Sequence, residues 1–278
     1  MIMTTKFEAE SNVKLRREKL DVILGDQGTA LMLGGIMATD MRIARAAYRG
    51  GCRIFEPNHP AMALQMGLSG ATTMNEAEAI RHLVPLSRMT TAVEGLRAVL
   101  GDEVFITCAA AGTFTEQQPV PFTQEDVLKL AYAGADCVHS HKSSIEDIAQ
   151  LAEYCHRAGL LCEAYISAYD TFGVQAPTDE LLLQAIKDYE DAGVDILGLC
   201  TGMIYQGQGA TGFSEECLHR IRLFIENTHV VKALEGGIKP GNIGAVKKLG
   251  FDILVMSTAL DNICQEATAN TVKTVMNL

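Results

Sequence analysis

Ala133-Gly134-Ala135-Asp136-Cys137-Val138-His139, Ala192-Gly193-Val194-Asp195-Ile196-Leu197-Gly198 and Leu249-Gly250-Phe251-Asp252-Ile253-Leu254-Val255 repeat one pattern. In each, a glycine ends a helix, an aspartate follows two residues later, and a short apolar run suited to a buried strand comes next. The three aspartates stand 59 and 57 residues apart, about twice the length of one βα unit. A further strand is therefore expected inside each interval, and residues 159–165 and 229–235 supply them. Upstream, residues 30–36, 53–57 and 104–108 complete a set of eight. Short apolar runs between amphipathic helices predict an all-parallel sheet. Thr178-Asp179-Glu180 and Ser214-Glu215-Glu216 are capped helix starts of the kind this alternation needs.

Eight such units predict an α/β fold, a single (β/α)8 TIM barrel spanning residues 1–278 as one domain. The alternative, an open doubly wound sheet, lacks its fingerprint: no G-x-G-x-x-G follows the first strand, and no nucleotide cofactor is expected. Two stretches stand outside the repeat. Residues 1–29 are expected to form an N-terminal helical extension closing the barrel bottom, and residues 67–101 an enlarged helical insertion after the second strand.

The 278 residues are 48% hydrophobic with 25 Gly and 7 Pro, and carry a formal net charge of −11. That charge leaves no basic surface for a polyphosphate chain, so nucleic acid is not an expected partner. No apolar run approaches membrane-spanning length and no secretory signal opens the chain, so the cytoplasm is the expected location. The 8 Cys include no C-x-x-C pair, which predicts free buried thiols and leaves any metal site to His and carboxylate.

In a barrel of this kind, chemistry belongs at the C-terminal strand ends, and residues two apart on a strand share a face. His139 and His141 therefore point the same way, as do Glu163 and Tyr165, and Glu56 and Asn58. Glu56, His139, His141 and Glu163 could hold a divalent ion, Zn, Mn or Mg, or supply a proton donor and acceptor. The competing reading is a hydrogen-bonded polar plug without chemistry. Glu235 stands at the tip of the seventh predicted strand, directly before Gly236-Gly237. Lys232, three residues earlier, and Glu235 cannot both face inward from a regular strand; either is compatible with the pattern, and Lys232 reads equally as a catalytic group or as a structural ion-pair partner.

Gly236 and Gly237, with Ser257 and Thr258 after the last strand, can close backbone N–H groups and a helix start on a phosphate. Gly207, Gly209 and Gly212 give the preceding loop the hinges of a lid. Lys142, at the end of the fourth strand, is a candidate Schiff-base lysine.

The segment Glu235-Gly236-Gly237-Ile238-Lys239-Pro240-Gly241-Asn242-Ile243, taken with Met256-Ser257-Thr258-Ala259-Leu260, resembles the closing signature of the phosphate-binding TIM barrels. The likeness is to the ribulose-phosphate-binding group of epimerases, hexulose-phosphate synthases and keto-gulonate-phosphate decarboxylases, and it covers residues 230–260. It implies that Glu235 matches the carboxylate that serves those epimerases as metal ligand and acid/base. It also implies a homo-oligomer. The D-x-K-x-x-D motif of the synthase branch is absent: Ile106-Thr107-Cys108-Ala109 stands on the third strand.

The expected function is that of a lyase or isomerase, of aldolase or epimerase type. Its substrate would be a small phosphorylated sugar or keto acid, processed through an enediolate. Glu235 or Glu163 would move the proton, with His139 and His141 holding a metal or the oxyanion. The alternatives are a Schiff-base aldolase using Lys142 or Lys232, and a non-catalytic barrel that senses a phosphorylated ligand.

Overall fold

The computed structural model describes residues 6–112, 122–141, 144–167, 174–201 and 209–277. Its strands are β1 (Ala30–Gly34), β2 (Ile54–Glu56), β3 (Phe105–Gly112), β4 (Cys137–His141), β5 (Leu161–Ser167), β6 (Val174–Gln175), β7 (Ile196–Cys200), β8 (Val231–Glu235) and β9 (Ile253–Met256). Eight of them close a parallel ring in the order β1-β2-β3-β4-β5-β7-β8-β9, with β9 returning to β1. The predicted (β/α)8 barrel is thus the fold. The sequence pattern missed β6, a two-residue strand that pairs only with the tip of β5.

Alternation along the strands separates two apolar layers. Met32, Ile54, Phe105, Cys137, Leu161, Ile196, Ala233 and Ile253 fill the barrel interior. Leu33, Phe55, Ile106, Val138, Cys162, Leu197, Leu234 and Leu254 face the surrounding helices. Thr178 and Ser214 cap helices Asp179–Asp191 and Glu215–Asn227, each accepting a hydrogen bond from the backbone three residues on. The insertion after β2 is helical as expected, but it starts at His59 instead of residue 67. Asn58 is the reason, since its side chain accepts from Ala61 N at 2.7 Å and nucleates that helix directly at the strand end. Among the described cysteines all are free and seven of the eight are buried.

The repeated aspartates do the same work three times. Asp136 donates its backbone N–H to Ile106 O (2.8 Å) and accepts from Ile106 N through its side chain (2.9 Å). Asp195 holds both backbone groups of Cys162 in the same way, and Asp252 those of Lys232. Each aspartate thereby clasps the foot of the strand beside its own. Helix Lys6–Gln27 lies across this end. Lys19 and Arg97 bind Asp136, and Arg17 binds Asp195, while Leu20 and Ile23 plug the interior. The N-terminal extension closes the bottom, as its sequence position predicts.

Loss of a clasp leaves a buried N–H without an acceptor, which costs about 1–3 kcal/mol. Asp136→Ala and Asp195→Ala should each lower the unfolding free energy by about 2–3 kcal/mol. Asp252, whose side chain is 35% exposed against 4% and 5% for the other two, should cost about 1 kcal/mol. Urea unfolding of the three variants checks this order, and a larger loss at Asp252 would contradict it.

Candidate active site

The clasp at Cys162 sets the face of the next residue, so Glu163 points into the barrel, where it is fully buried. Thr107, opposite on β3, donates its hydroxyl to Glu163 Oε2 at 2.6 Å, and Tyr165 donates its own to Oε1 at 2.8 Å. His139, paired with Glu163 in the β4–β5 register, brings Nδ1 to 3.5 Å from the same Oε1. Its ring stacks on Tyr165 with centroids 4.5 Å apart. Gly198 makes this stack possible, because a Cβ there would lie 2.2 Å from the Tyr165 ring.

Glu56 ends β2 beneath the mouth and accepts from Asn58 Nδ2 at 3.1 Å. Its other oxygen lies over Gly34, where a Cβ would approach it to 2.4 Å. The same point is 3.3 Å from Ser257 Cβ, so Glu56 reaches toward the end of β9. Burial pushes the Glu56 carboxyl up to about 8, with Glu235 and Glu163 adding to the rise against the pull of His139. Burial opposes a His139 cation, but Glu163, Glu56 and Glu235 outweigh it and lift the imidazole to about 9. Burial, with Glu163 next, holds the Tyr165 phenol well above its usual value. At neutral pH burial thus favours a protonated Glu56, while Glu163 draws His139 toward its cation.

Glu235 is the link to open space. It is half-buried at the tip of β8 and lines a cleft of about 260 Å³ together with Gly212, Gly236, Gly237, Asn242, Ser257 and Thr258. The four predicted phosphate-binding residues thus meet at one cleft, beside the predicted acid/base. Gly236 and Gly237 both take positive φ, 100° and 69°, which turns the chain sharply over the cleft. Helix Thr258–Met276 starts at its wall, and the side chain of Ser257, its N-cap residue, makes no capping bond. Lys232 faces outward, with Nζ 3.4 Å from Asp252, so the ion-pair reading is the correct one and the lysine takes no part in the mouth.

Among the other predicted residues, Gly209 and Gly212 bound the loop before the cleft, and Gly212 lines it. Gly207 and Lys142 lie outside the described residues, as does the side chain of His141. No three His, Cys, Asp or Glu side chains among the described residues converge as a metal site. Both oxygens of Glu163 are taken by hydroxyl donors, which suits a hydrogen-bond acceptor and ion-pair partner more than a ligand. With the side chain of His141 outside the described residues, three of the four expected ligands are placed, and these three do not by themselves form a metal site.

Sequence reasoning missed Gly34, Thr107, Gly198 and Asn242. Thr107 follows the residue clasped by Asp136, so its inward face was readable from the repeat. Gly34 and Gly198 matter for the side chains they admit, which only the closed barrel reveals.

No protein-family model matches the chain, and no curated protein sequence matches it. Among the described residues, no helix is long and apolar enough to cross a membrane. Solved structures do match. A 2,3-dimethylmalate lyase, a member of the PEP mutase/isocitrate lyase superfamily, is 15% identical with a TM-score of 0.63, covering 100% of this chain and 89% of its own. A protein described as a putative phosphonomutase, from Burkholderia cenocepacia, is 14% identical with a TM-score of 0.66 over 93% of this chain and 99% of its own. The tryptophan synthase α-subunit of Pyrococcus furiosus is 14% identical with a TM-score of 0.62 over 86% of this chain and 90% of its own. At such identities the likeness is one of fold, and it places this chain among the TIM barrels.

Proposed function

We propose that this barrel is a lyase or isomerase acting on a small phosphorylated sugar or keto acid through an enediolate. The observation that carries this reading is the position of Glu235, which shares one cleft with Gly236, Gly237, Ser257 and Thr258 and is electrostatically linked to Glu56 and His139. A phosphate in the cradle sets the adjacent carbon chain against Glu235. The Glu235 carboxylate takes the proton from the carbon next to the carbonyl, and the C–H electron pair moves into the enediolate. Glu56, as a neutral acid, donates to the developing oxyanion, and the His139 cation stabilises its charge. Return of the proton to the neighbouring carbon gives an isomerase; a lyase reaches the enediolate by the other route, in which Glu235 takes the proton of the hydroxyl β to the carbonyl, the adjacent C–C bond breaks with its electron pair entering the enediolate, an aldehyde leaves, and the enediolate is reprotonated.

A cleft of about 260 Å³ suits a compact metabolite better than a drug-sized ligand. The structural neighbours named for lyase and mutase activities support the same class. Glu163 is fully buried and doubly hydrogen-bonded, so it serves to hold His139 and not to touch substrate.

Incubation with phosphorylated keto acids and ketoses in D2O, followed by NMR, should show deuterium entering the position next to the carbonyl. Glu235→Gln should slow that exchange by at least about 100-fold while phosphate binding survives. Phosphate binding without exchange by the unaltered protein would favour the ligand-sensing barrel, and full exchange in the variant would remove Glu235 from its role.

The pH dependence has a definite sign. Between its ordinary value of 4.5 and about 8, Glu56 holds its proton in the folded protein and loses it in the unfolded chain. His139 does the same between 6.5 and about 9. Both contributions to stability are complete at low pH and are lost as pH rises through the folded values. Urea midpoints should therefore fall from pH 5 to pH 9, and Glu56→Gln should flatten the part below pH 8. The rate should decline above pH 8 as Glu56 ionises; a rate still rising at pH 9 would exclude it as the acid.

A further inference from the structure

Asn242 is 5% exposed at the edge of the cleft, and it uses both ends of its amide. Oδ1 accepts from Lys239 N at 2.9 Å, while Nδ2 donates to Gly237 O and to Thr211 O, each at 2.7 Å. A flipped amide would set its oxygen against two carbonyls, so the partners fix the orientation. One side chain thereby joins the turn after β8 to the end of the loop that precedes helix Glu215–Asn227.

The consequence lies in the peptide that Asn242 holds. Among the described residues there are no cis peptide bonds, so the Ile238 N–H points opposite to the Gly237 carbonyl, away from the Asn242 amide. Ile238 is 5% exposed, and neither its N–H nor that of Gly237 has an acceptor among the described residues. Buried N–H groups rarely stay unpaired. Gly237 and Ile238 both line the cleft with Thr258, at the start of a 19-residue helix.

We infer that Asn242 is a positioning residue for the anion cradle: it fixes the Gly237–Ile238 peptide so that its N–H serves the bound phosphate. This rests on the phosphate reading of the cleft and adds the residue that makes the cradle rigid before ligand arrives. Asn242 touches no reacting atom. Its loss should weaken binding and leave the proton-transfer machinery of Glu235, Glu56 and His139 in place.

The test is titration of the full chain with inorganic phosphate, followed by the amide resonances of Gly237 and Ile238. The unaltered protein should show saturable shifts at both. Asn242→Ala should raise the apparent Kd about tenfold, the effect of one misdirected charge-assisted hydrogen bond. Asn242→Asp keeps the acceptor for Lys239 N but removes both donors, so it should behave alike and guards against a variant that fails to fold. With a substrate in hand, KM should rise and kcat stay within about twofold. Phosphate affinity unchanged in a folded variant would overturn the role of Asn242 alone. Absence of any shift at Gly237 and Ile238 in the unaltered protein would overturn the cradle reading with it.

Discussion

The clasp between an aspartate and both backbone groups of a neighbouring strand is the constraint on which the chemistry depends. A slip of one residue in register turns every side chain of a strand to the opposite face. With Ile106 held by Asp136 and Cys162 by Asp195, the residues that follow, Thr107 and Glu163, must face inward at the same height. Their hydrogen bond is the direct result. Lys232 is held by Asp252 and faces outward, so Glu235, three residues on, faces inward. The foot of the barrel thus decides what its mouth contains.

The mouth is limited by charge. Glu56 and Glu163 flank one imidazole almost without solvent, with Glu235 beside them at the cleft, and three unprotonated carboxylates there would repel strongly at low dielectric. The arrangement relieves this by giving each a different surrounding. Glu163 receives two hydroxyl donors and the His139 ring, Glu56 keeps its proton, and Glu235 opens to the cleft. Carboxyl groups driven apart in this way can act as acid and base in the same site.

Much of this was legible in the sequence because it follows from periodicity. The repeat gave the barrel, and alternation gave the inward face of His139 and Glu163. The glycines after Glu235 marked where the cleft would lie. Periodicity does not decide between Lys232 and Glu235; Asp252 does, by holding Lys232 on the outer face, a contact between strands that no local pattern encodes. Gly34 and Gly198 were silent for a similar reason. Each matters through a side chain from a different strand, Glu56 in one case and Tyr165 in the other. The early start of the insertion was local and readable, since Asn58 followed by His59-Pro60 is a helix cap with proline in the first turn.

Under the proposed function, an acidic barrel must bind an anion beside three glutamates, and the choice of donors decides whether it can. An arginine in the cradle would pair with Glu235, tie up the proposed proton acceptor, and carry the desolvation cost of a buried ion pair. Backbone N–H groups avoid that conflict. They carry partial positive charge without a mobile cation, and the start of helix Thr258–Met276 adds to the same field. Lys239, the cation among the lining residues, is exposed and therefore contributes at the rim. Neutral donors work only if they are aimed before ligand arrives, since a floppy peptide would lose in ordering what it gains in contact. Asn242, with its amide spent on two carbonyls and one N–H, supplies that aim, which is why a side chain that carries no charge matters to a site defined by charge.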